Sequence, residues 1–236
     1  MPFFASFAAL PGTRLREEIT ADDPLGEFLV WWDDVTSAHV RRFAKRLENS
    51  RIERDMQGFL EREPMLLIQH LGGGHGRWVL PQKRLGDRYI TDFVIGEKSS
   101  VGFEWTVVEL ESPSARMFKR NGEPTAALQH ALQQVRDWRS WLGKNQSYAA
   151  KPRLEQGLGL TNIRSDLAGL IIIGRRSQTD PRTNDRRQQL MSETNCRIHS
   201  YDFLIEAAKG RVRDIQNSRK LRQSAAAGRT GRRNSA

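Results

Sequence analysis

Apolar residues recur at spacings of three and four along the first third of the chain, which places them on one face of a helix. The recurring positions are Leu25, Phe28, Leu29 and Trp32, then Val40, Phe43 and Leu47, then Ile52, Met56, Phe59 and Leu60. The pattern predicts helices over about residues 24–71. Pro64 interrupts them, because proline lacks the backbone N–H that a helix interior needs.

The middle of the chain changes to short apolar runs that are typical of strands. Residues 78–81, 89–95 and 103–111 predict three strands, and the continuous apolar run at 167–174 predicts a central one. A helix is predicted over 125–142 with a loop from 143 to 165, and a last strand and a closing helix follow from Cys196. This order predicts an α/β domain with a mixed sheet between helices.

Three carboxylates interrupt the predicted strands. Asp92 lies in an apolar run, and Glu109 and Glu111 are two positions apart, so they leave the same face of their strand. A buried carboxylate is costly unless it is neutralised, hydrogen-bonded or bound to a metal. If the strand ends meet, oxygen ligands with no histidine or cysteine nearby predict Mg²⁺ or Mn²⁺ rather than zinc. The alternative is that Asp92 and Glu109 pair with arginine or lysine.

The net charge of +10 is concentrated at the C-terminal end. Residues 211–236 carry eight Lys or Arg and one acid, Asp214, which accounts for +7 of the total. Few apolar residues remain past about Leu221, which predicts a disordered tail able to hold phosphates. The candidate nucleic-acid-binding residues there are Arg211, Arg213, Arg219, Lys220 and Arg222. The alternative is a solubilising end without a partner.

Other features describe the setting. The single cysteine, Cys196, excludes an intramolecular disulfide and predicts a reducing, cytoplasmic environment. No apolar run reaches about 18 residues, so no membrane span is predicted. The apolar N-terminus lacks the positive charge that begins a signal peptide. Two weak motifs, the acid pair Asp33 and Asp34 and the glycine cluster around His75, are interpreted as a solvated face and a loop.

The carboxylates and the helix that follows them form a known pattern. The spacing is Asp-x16-Glu-x-Glu from Asp92 to Glu111, and Gln134 lies on the apolar side of the predicted helix. This resembles the PD-(D/E)XK nuclease superfamily. The order of the strings "VLPQKRLGDRYITDFVIG", "WTVVELESP", "QQVRDWRSWL" and "IHSYDFLIEAA" further resembles the nuclease domain of the Shedu antiphage defence family, over about residues 52–208.

The resemblance implies a restriction-endonuclease-like fold and a role for each matching residue. It implies that Asp92 and Glu109 are metal ligands, with the carbonyl of Leu110 completing the site, and that Gln134 positions water or phosphate. Mg²⁺ is the implied cofactor, with Mn²⁺ as the alternative. DNA is the implied substrate and partner.

Three further residues are placed by the resemblance with two interpretations each. Arg175, at the end of the buried strand, either contacts phosphate or forms a structural salt bridge. Glu53 and Gln57 lie one helical turn apart on the helix that precedes the sheet. They either lean on the site or belong to a solvated face.

Glu111 departs from the pattern, because "VELES" stands where "VELKS" is expected. The lysine stabilises developing negative charge, which a glutamate cannot do. Three interpretations follow. Another cation reaches the site, Glu111 draws in a second metal, or the site binds DNA without cutting it. The nearby cations that are candidates for the first interpretation are Lys83, Lys98, Arg116 and Lys119.

The carboxylates and the resemblance together predict a metal-dependent DNA endonuclease, and the resemblance implies that it acts in antiphage defence and assembles as a homo-oligomer. Its catalytic residues would be Asp92, Glu109, Glu111 and Gln134. The alternatives are an inactive DNA-binding or regulatory module on the same fold, and a structural protein whose acids are salt-bridged. The predicted organisation is an N-terminal helical extension at 1–50, a nuclease domain at 51–209 and a basic tail at 210–236.

Overall fold

The computed structural model describes residues 25–72 and 76–233, with side chains as far as residue 224. The α-helices of this part are α1 (Ser37–Asn49), α2 (Glu53–Arg62), α3 (Ala126–Ala150), α4 (Asn184–Thr194) and α5 (Tyr201–Arg233). The strands are β1 (Gly76–Pro81), β2 (Arg84–Leu85), β3 (Tyr89–Ile90), β4 (Phe93–Ser99), β5 (Gly102–Leu110), β6 (Ala168–Ile172) and β7 (Cys196–His199). Short 3₁₀ helices span Gly26–Phe28, Trp32–Asp34, Pro64–Leu67, Arg153–Glu155, Arg176–Gln178 and Pro181–Thr183.

Five strands form one mixed sheet in the order β1-β4-β5-β6-β7. Strand β4 pairs antiparallel with both β1 and β5, whereas β6 pairs parallel with β5, and β7 pairs parallel with β6. Parallel neighbours need a crossover, and α3 and α4 lie in the two crossovers. Strands β2 and β3 form a separate small hairpin. The predicted α/β class, with a mixed sheet flanked by helices, is confirmed.

Helices cover both faces of the sheet. On one face α3 packs its buried Trp138 into a core that contains Val107 of β5. On the other face α1, α2 and α5 form a second core, which contains Phe43 and Val108. Strand β5 is therefore apolar on both faces because each faces a core. Trp138 is fully buried, and truncating a side chain of this kind typically costs about 3–5 kcal/mol.

Helix α3 begins where the sequence predicts but ends later. Thr125 caps it, because its hydroxyl oxygen accepts a hydrogen bond from the Leu128 N–H at 3.3 Å. The predicted loop from residue 143 is wrong, since the helix continues to Ala150 with a local distortion at Asn145 (φ −128°, ψ 20°). A glycine such as Gly143 costs a helix only about 1 kcal/mol, so packing on either side of it decides the outcome.

The predicted strand at 89–95 is also wrong in its extent. The structure divides it into β3 and β4, with Thr91 and Asp92 between them. The Gln82 N–H donates to the Asp92 carbonyl at 2.8 Å, which closes the β2–β3 hairpin against the start of β4. Asp92 therefore lies at a strand end. Helix α4 was not predicted, because its sequence buries only Leu190 and shows no apolar stripe.

The closing helix α5 is longer than the sequence predicts. It continues to Arg233, whereas the sequence predicts disorder past about Leu221. The segment from 222 to 233 has no proline and contains three Ala and four Arg, which are residues that favour helix formation. The predictions for residues 1–24 and for His75 lie outside the described residues. Within the described part, no helix combines the length and apolarity that a membrane span requires.

Candidate metal centre

Two neighbouring strand ends bring Asp92 and Glu109 together. Phe93 of β4 lies opposite Val108 of β5, so the next residues outward are neighbours. The carboxyl groups of Asp92 and Glu109 are close enough to shift each other's pKa, and Asp92 Oδ2 accepts a hydrogen bond from the Leu110 N–H at 2.7 Å. Glu109 is only 5 % exposed. The strand ends therefore meet, and they hold two carboxyl groups largely out of water.

Glu111 stands one position beyond β5 and is fixed by its backbone. Its N–H donates to the Ile172 carbonyl at 2.9 Å, and its carbonyl accepts from the Tyr201 hydroxyl at 2.9 Å. Tyr201 is fully buried. The Glu111 side chain turns toward α3, where Oε1 lies 3.1 Å from His130 Nδ1. Both sides of the Glu111 backbone are thus held, and its carboxylate has a defined direction.

His130 is the functional candidate that the sequence analysis missed. The expectation that no histidine lies near the acids is wrong, because α3 carries His130 against Glu111. The available signal was helical spacing, since His130 precedes Gln134 by one turn and lies on the same side of the helix. Gln134 is partly buried one turn further along α3. The His130 side chain remains 64 % exposed, so a ligand can reach it.

Helix α2 adds a fourth carboxylate. Burial, followed by the charges of Asp92 and Glu111, raises the pKa of Glu53 to about 7. The charge of Glu61, two turns further along α2, also raises the pKa of Asp92. Gln57 lies between the two and donates to Glu61 Oε1 at 3.3 Å. Of the two interpretations of Glu53, the structure supports the one in which its carboxyl group belongs to the site, because the charges of Asp92 and Glu111 act on it. The group Glu53, Asp92, Glu109 and Glu111 is called the acid cluster below.

The pKa values of the acid cluster are raised, and its acids have no arginine or lysine partner among the described residues. Burial first, and then neighbouring carboxylates, raise the pKa of Glu109 to about 10. Burial raises the pKa of Asp92 to about 6, against the opposing effect of the Leu110 hydrogen bond. Burial also raises the pKa of Glu111, opposed by His130. Among the ion pairs of the described residues, none joins an arginine or lysine to these three acids. The alternative of structural salt bridges therefore finds no support.

The four cations proposed to replace the motif lysine are engaged or remote. Lys83 donates to a backbone carbonyl at 3.0 Å, and Lys119 pairs at 3.2 Å with a glutamate four positions along. Lys98 lies near the far end of β4, and Arg116 is exposed. No hydrogen bond or ion pair of the described residues joins any of them to Glu111.

The candidate DNA-binding residues fall into two groups. Arg175 forms the salt bridge that was its alternative interpretation, with Nε 3.3 Å from Asp202 Oδ2. Arg211 donates to a backbone carbonyl at 3.1 Å and lies 4.9 Å over the Trp32 ring, so it belongs to the folded body. The remaining candidates, all exposed on α5, are Arg213, Arg219, Lys220 and Arg222.

The residues present fit a divalent cation. Glu109, Glu111 and His130 each offer one ligand atom, and these atoms all lie within 4.8 Å of one another. Ligands bound at about 2.0–2.5 Å to one ion lie within about twice that distance of each other. Carboxylate oxygens suit Mg²⁺ and Mn²⁺, and an imidazole nitrogen favours the transition metal of the two.

Comparisons with known proteins agree with this region of the chain. A family model described as "Shedu protein SduA, C-terminal" matches residues 50–205, which is more than half of the 236 residues. The matched segment contains the whole sheet, the acid cluster and His130. A search of curated proteins found no match to the chain.

Proposed function

The chain belongs to the Shedu SduA family, and on this premise we propose that it is a metal-dependent DNA endonuclease acting in antiphage defence. The observation that supports the proposal most is the acid cluster at the strand ends, where Asp92 and Glu109 have other carboxylates as their charged neighbours. Acids that serve only stability are normally neutralised by partners. A cation that holds a phosphate is the partner that this site accommodates.

The proposed site assigns each residue a separate task. The carboxylates of Asp92 and Glu109 and the carbonyl of Leu110 hold Mg²⁺ or Mn²⁺. When bound, the cation polarises a phosphoryl oxygen and lowers the pKa of a water molecule. The Leu110 N–H orients the Asp92 carboxylate through its 2.7 Å hydrogen bond. Hydrolysis forms one bond from the water oxygen to phosphorus and breaks one P–O ester bond, and the proton lost by the water is balanced by the proton that the leaving oxygen takes up from solvent. Gln134 orients the water or the phosphate.

DNA affinity is proposed to come from elsewhere in the chain. Arg213, Arg219, Lys220 and Arg222 are exposed on α5 and contribute positive charge without base-specific geometry. Such contacts hold the phosphate backbone and are weakened by salt. Arg175 is not included, because its guanidinium is paired with Asp202.

The experiment incubates supercoiled and linear DNA with the purified protein in Mg²⁺, Mn²⁺ or EDTA. We expect cleavage that EDTA stops and that Asp92→Asn lowers by more than about a hundredfold, since even outer-shell partners of metal ligands cost 10–100-fold. Asp87→Asn is the matched control, because Asp87 is exposed in the neighbouring turn. Intact DNA in both metals, under conditions where the protein is saturated with DNA, would contradict the proposal.

Glu111 favours a second candidate function, a DNA-binding module that does not cut. In that case Asp92→Asn leaves DNA binding unchanged, and the wild type is inactive in every metal. The variant Glu111→Lys then separates the two functions. Cleavage by Glu111→Lys with a silent wild type identifies a binding module, whereas cleavage by the wild type identifies a working nuclease.

A further inference from the structure

Glu111 and His130 form a pair that the proposed function leaves without a task. Glu111 comes from the end of β5 and His130 from α3, and their side-chain atoms Oε1 and Nδ1 are 3.1 Å apart. The backbone hydrogen bonds to Ile172 and Tyr201 fix Glu111. The pair therefore does not depend on a mobile loop. His130 is largely exposed while Glu111 is nearly closed off, so the pair opens toward solvent on one side.

The charge of the site decides how many cations it accommodates. The acid cluster contains four carboxylates, and His130 supplies at most one positive charge. A DNA phosphate adds a further negative charge on arrival. Like charges a few ångströms apart repel each other, and they repel more strongly near a protein surface than in bulk water. Without metal, the raised pKa values of Glu53 and Glu109 mean that protons reduce this charge. When cations displace those protons, the four carboxylates carry four negative charges, which two divalent cations balance and a single one does not.

We propose that Glu111 and His130 hold a second divalent cation, Mn²⁺ in preference to Mg²⁺, beside the cation held by Asp92 and Glu109. The inference deepens the proposed function and rests on its first metal site. Glu109 is close to both positions, because it is the ladder neighbour of Asp92 and one of its carboxylate oxygens lies within 4.8 Å of ligand atoms on Glu111 and His130. A shared carboxylate of this kind is what two cations about 3.5–4 Å apart use in two-metal sites.

The donor set gives the second site its metal preference. Mg²⁺ prefers oxygen ligands in octahedral geometry and keeps several waters, so a nitrogen ligand gives it little. Mn²⁺ shares the preference of Mg²⁺ for carboxylate oxygen, but as a first-row transition metal it also accepts an imidazole nitrogen, which suits Zn²⁺, Fe²⁺ and Ni²⁺ better still. The glutamate at the motif's lysine position therefore changes the source of positive charge from a side chain to a metal ion.

The test counts bound Mn²⁺ by electron paramagnetic resonance, in which free Mn²⁺ gives a signal that bound Mn²⁺ loses. The wild type is expected to bind two Mn²⁺ per chain, and His130→Ala one. Glu111→Lys is also expected to bind one, because it removes a ligand and raises the charge of the site by two units. Gln133→Ala is the control, since Gln133 is an exposed neighbour on α3 whose side chain donates to Asp137.

Pulsed measurements add a readout that does not depend on activity. Bound Mn²⁺ in the wild type is expected to show coupling to a directly bound nitrogen, and His130→Gln is expected to lose it. One Mn²⁺ in the wild type, nitrogen coupling that survives His130→Gln, or loss of a cation in Gln133→Ala would each overturn the inference. Two Mn²⁺ with nitrogen coupling but no DNA cleavage contradicts the nuclease and leaves this site standing. DNA cleavage with only one Mn²⁺ bound per chain supports the nuclease and contradicts the second cation site.

Discussion

Two groups of charged side chains lie at opposite ends of the same sheet, and they are built in opposite ways. At one end is the acid cluster. At the other end is a group called here the arginine cluster: Arg77 on β1, Glu97 on β4 and Glu104 on β5, together with Arg197 on β7, whose charge acts on Glu97. Glu104 precedes Glu109 by five positions on β5, which corresponds to about 17 Å along a strand.

The difference lies in what surrounds each acid. Glu97 lies opposite Glu104 in the ladder, but Arg77 Nη2 is 3.5 Å from its carboxylate, and the charges of Arg77 and Arg197 oppose the effect of burial on its pKa. Glu109 instead has three carboxylates as its charged neighbours. A sheet end that serves stability is given cations by the fold. At the other end, Asp92 and Glu109 have no arginine or lysine partner among the described residues, and acids with perturbed pKa values of this kind are candidates for a functional site.

The largest expected effect comes from removing a partner in the arginine cluster. Arg77→Met should lower the free energy of unfolding by about 3 kcal/mol, because it leaves a partly buried carboxylate short of a counter-charge. Urea denaturation measures the change. The double variant Arg77→Met with Glu97→Leu should recover most of the loss, since an apolar pair needs no counter-charge. A neutral Arg77→Met would show that the arginine cluster does not stabilise the sheet.

The second effect is stabilisation by Mn²⁺, which should be specific to the acid cluster. At a Mn²⁺ concentration 100 times Kd, mass action raises the free energy of unfolding by about 2.7 kcal/mol. We expect this in the wild type and in Glu97→Gln, and its loss in Glu109→Gln, measured by thermal unfolding with and without EDTA. Equal Mn²⁺ stabilisation of all three proteins would place the cation outside the acid cluster.

The third effect is the pH dependence of the metal-free protein. The pKa of Glu109 rises from its usual 4.5 to about 10 on folding, so the folded state binds the proton more tightly than the unfolded state. Its stabilising contribution is present at low pH and is lost as pH rises through this range. Between pH 7 and pH 8 the wild type in EDTA should lose about 1.4 kcal/mol of unfolding free energy relative to Glu109→Gln. Parallel stability curves for the two proteins would contradict the shift.

The sequence predicts the architecture well because the two cores follow simple periodicity. The apolar stripe that includes Trp138 packs against the sheet, and the apolar run that becomes β6 lies within the sheet between the two cores. In both cases the apolar positions in the sequence are the buried positions in the structure. The ends of individual helices and strands were less predictable. Gly143 does not end α3, because tertiary contacts outweigh a local preference of about 1 kcal/mol. Helix α4 could not be predicted from periodicity, because it buries only Leu190 and has no apolar stripe.

The site was predictable in its acids and not in its histidine. Asp92, Glu109 and Glu111 stand out because carboxylates in apolar strands contradict their setting. His130 lies in a polar stretch of a helix where histidine is unremarkable, and only the packing of α3 against the end of β5 brings it to Glu111. The roles of Glu53 and Arg175 likewise depended on distances, which spacing along the chain does not give.

The central claim is that the cation required for DNA cleavage binds at the acid cluster and not at the arginine cluster. The most direct measurement makes the same substitution at both ends of the sheet, Glu109→Gln and Glu97→Gln, and follows Mn²⁺-dependent cleavage of supercoiled plasmid. We predict that Glu109→Gln loses more than about a hundredfold in cleavage rate, whereas Glu97→Gln retains the wild-type rate. Equal rates for the two variants, or a larger loss in Glu97→Gln, would contradict the claim.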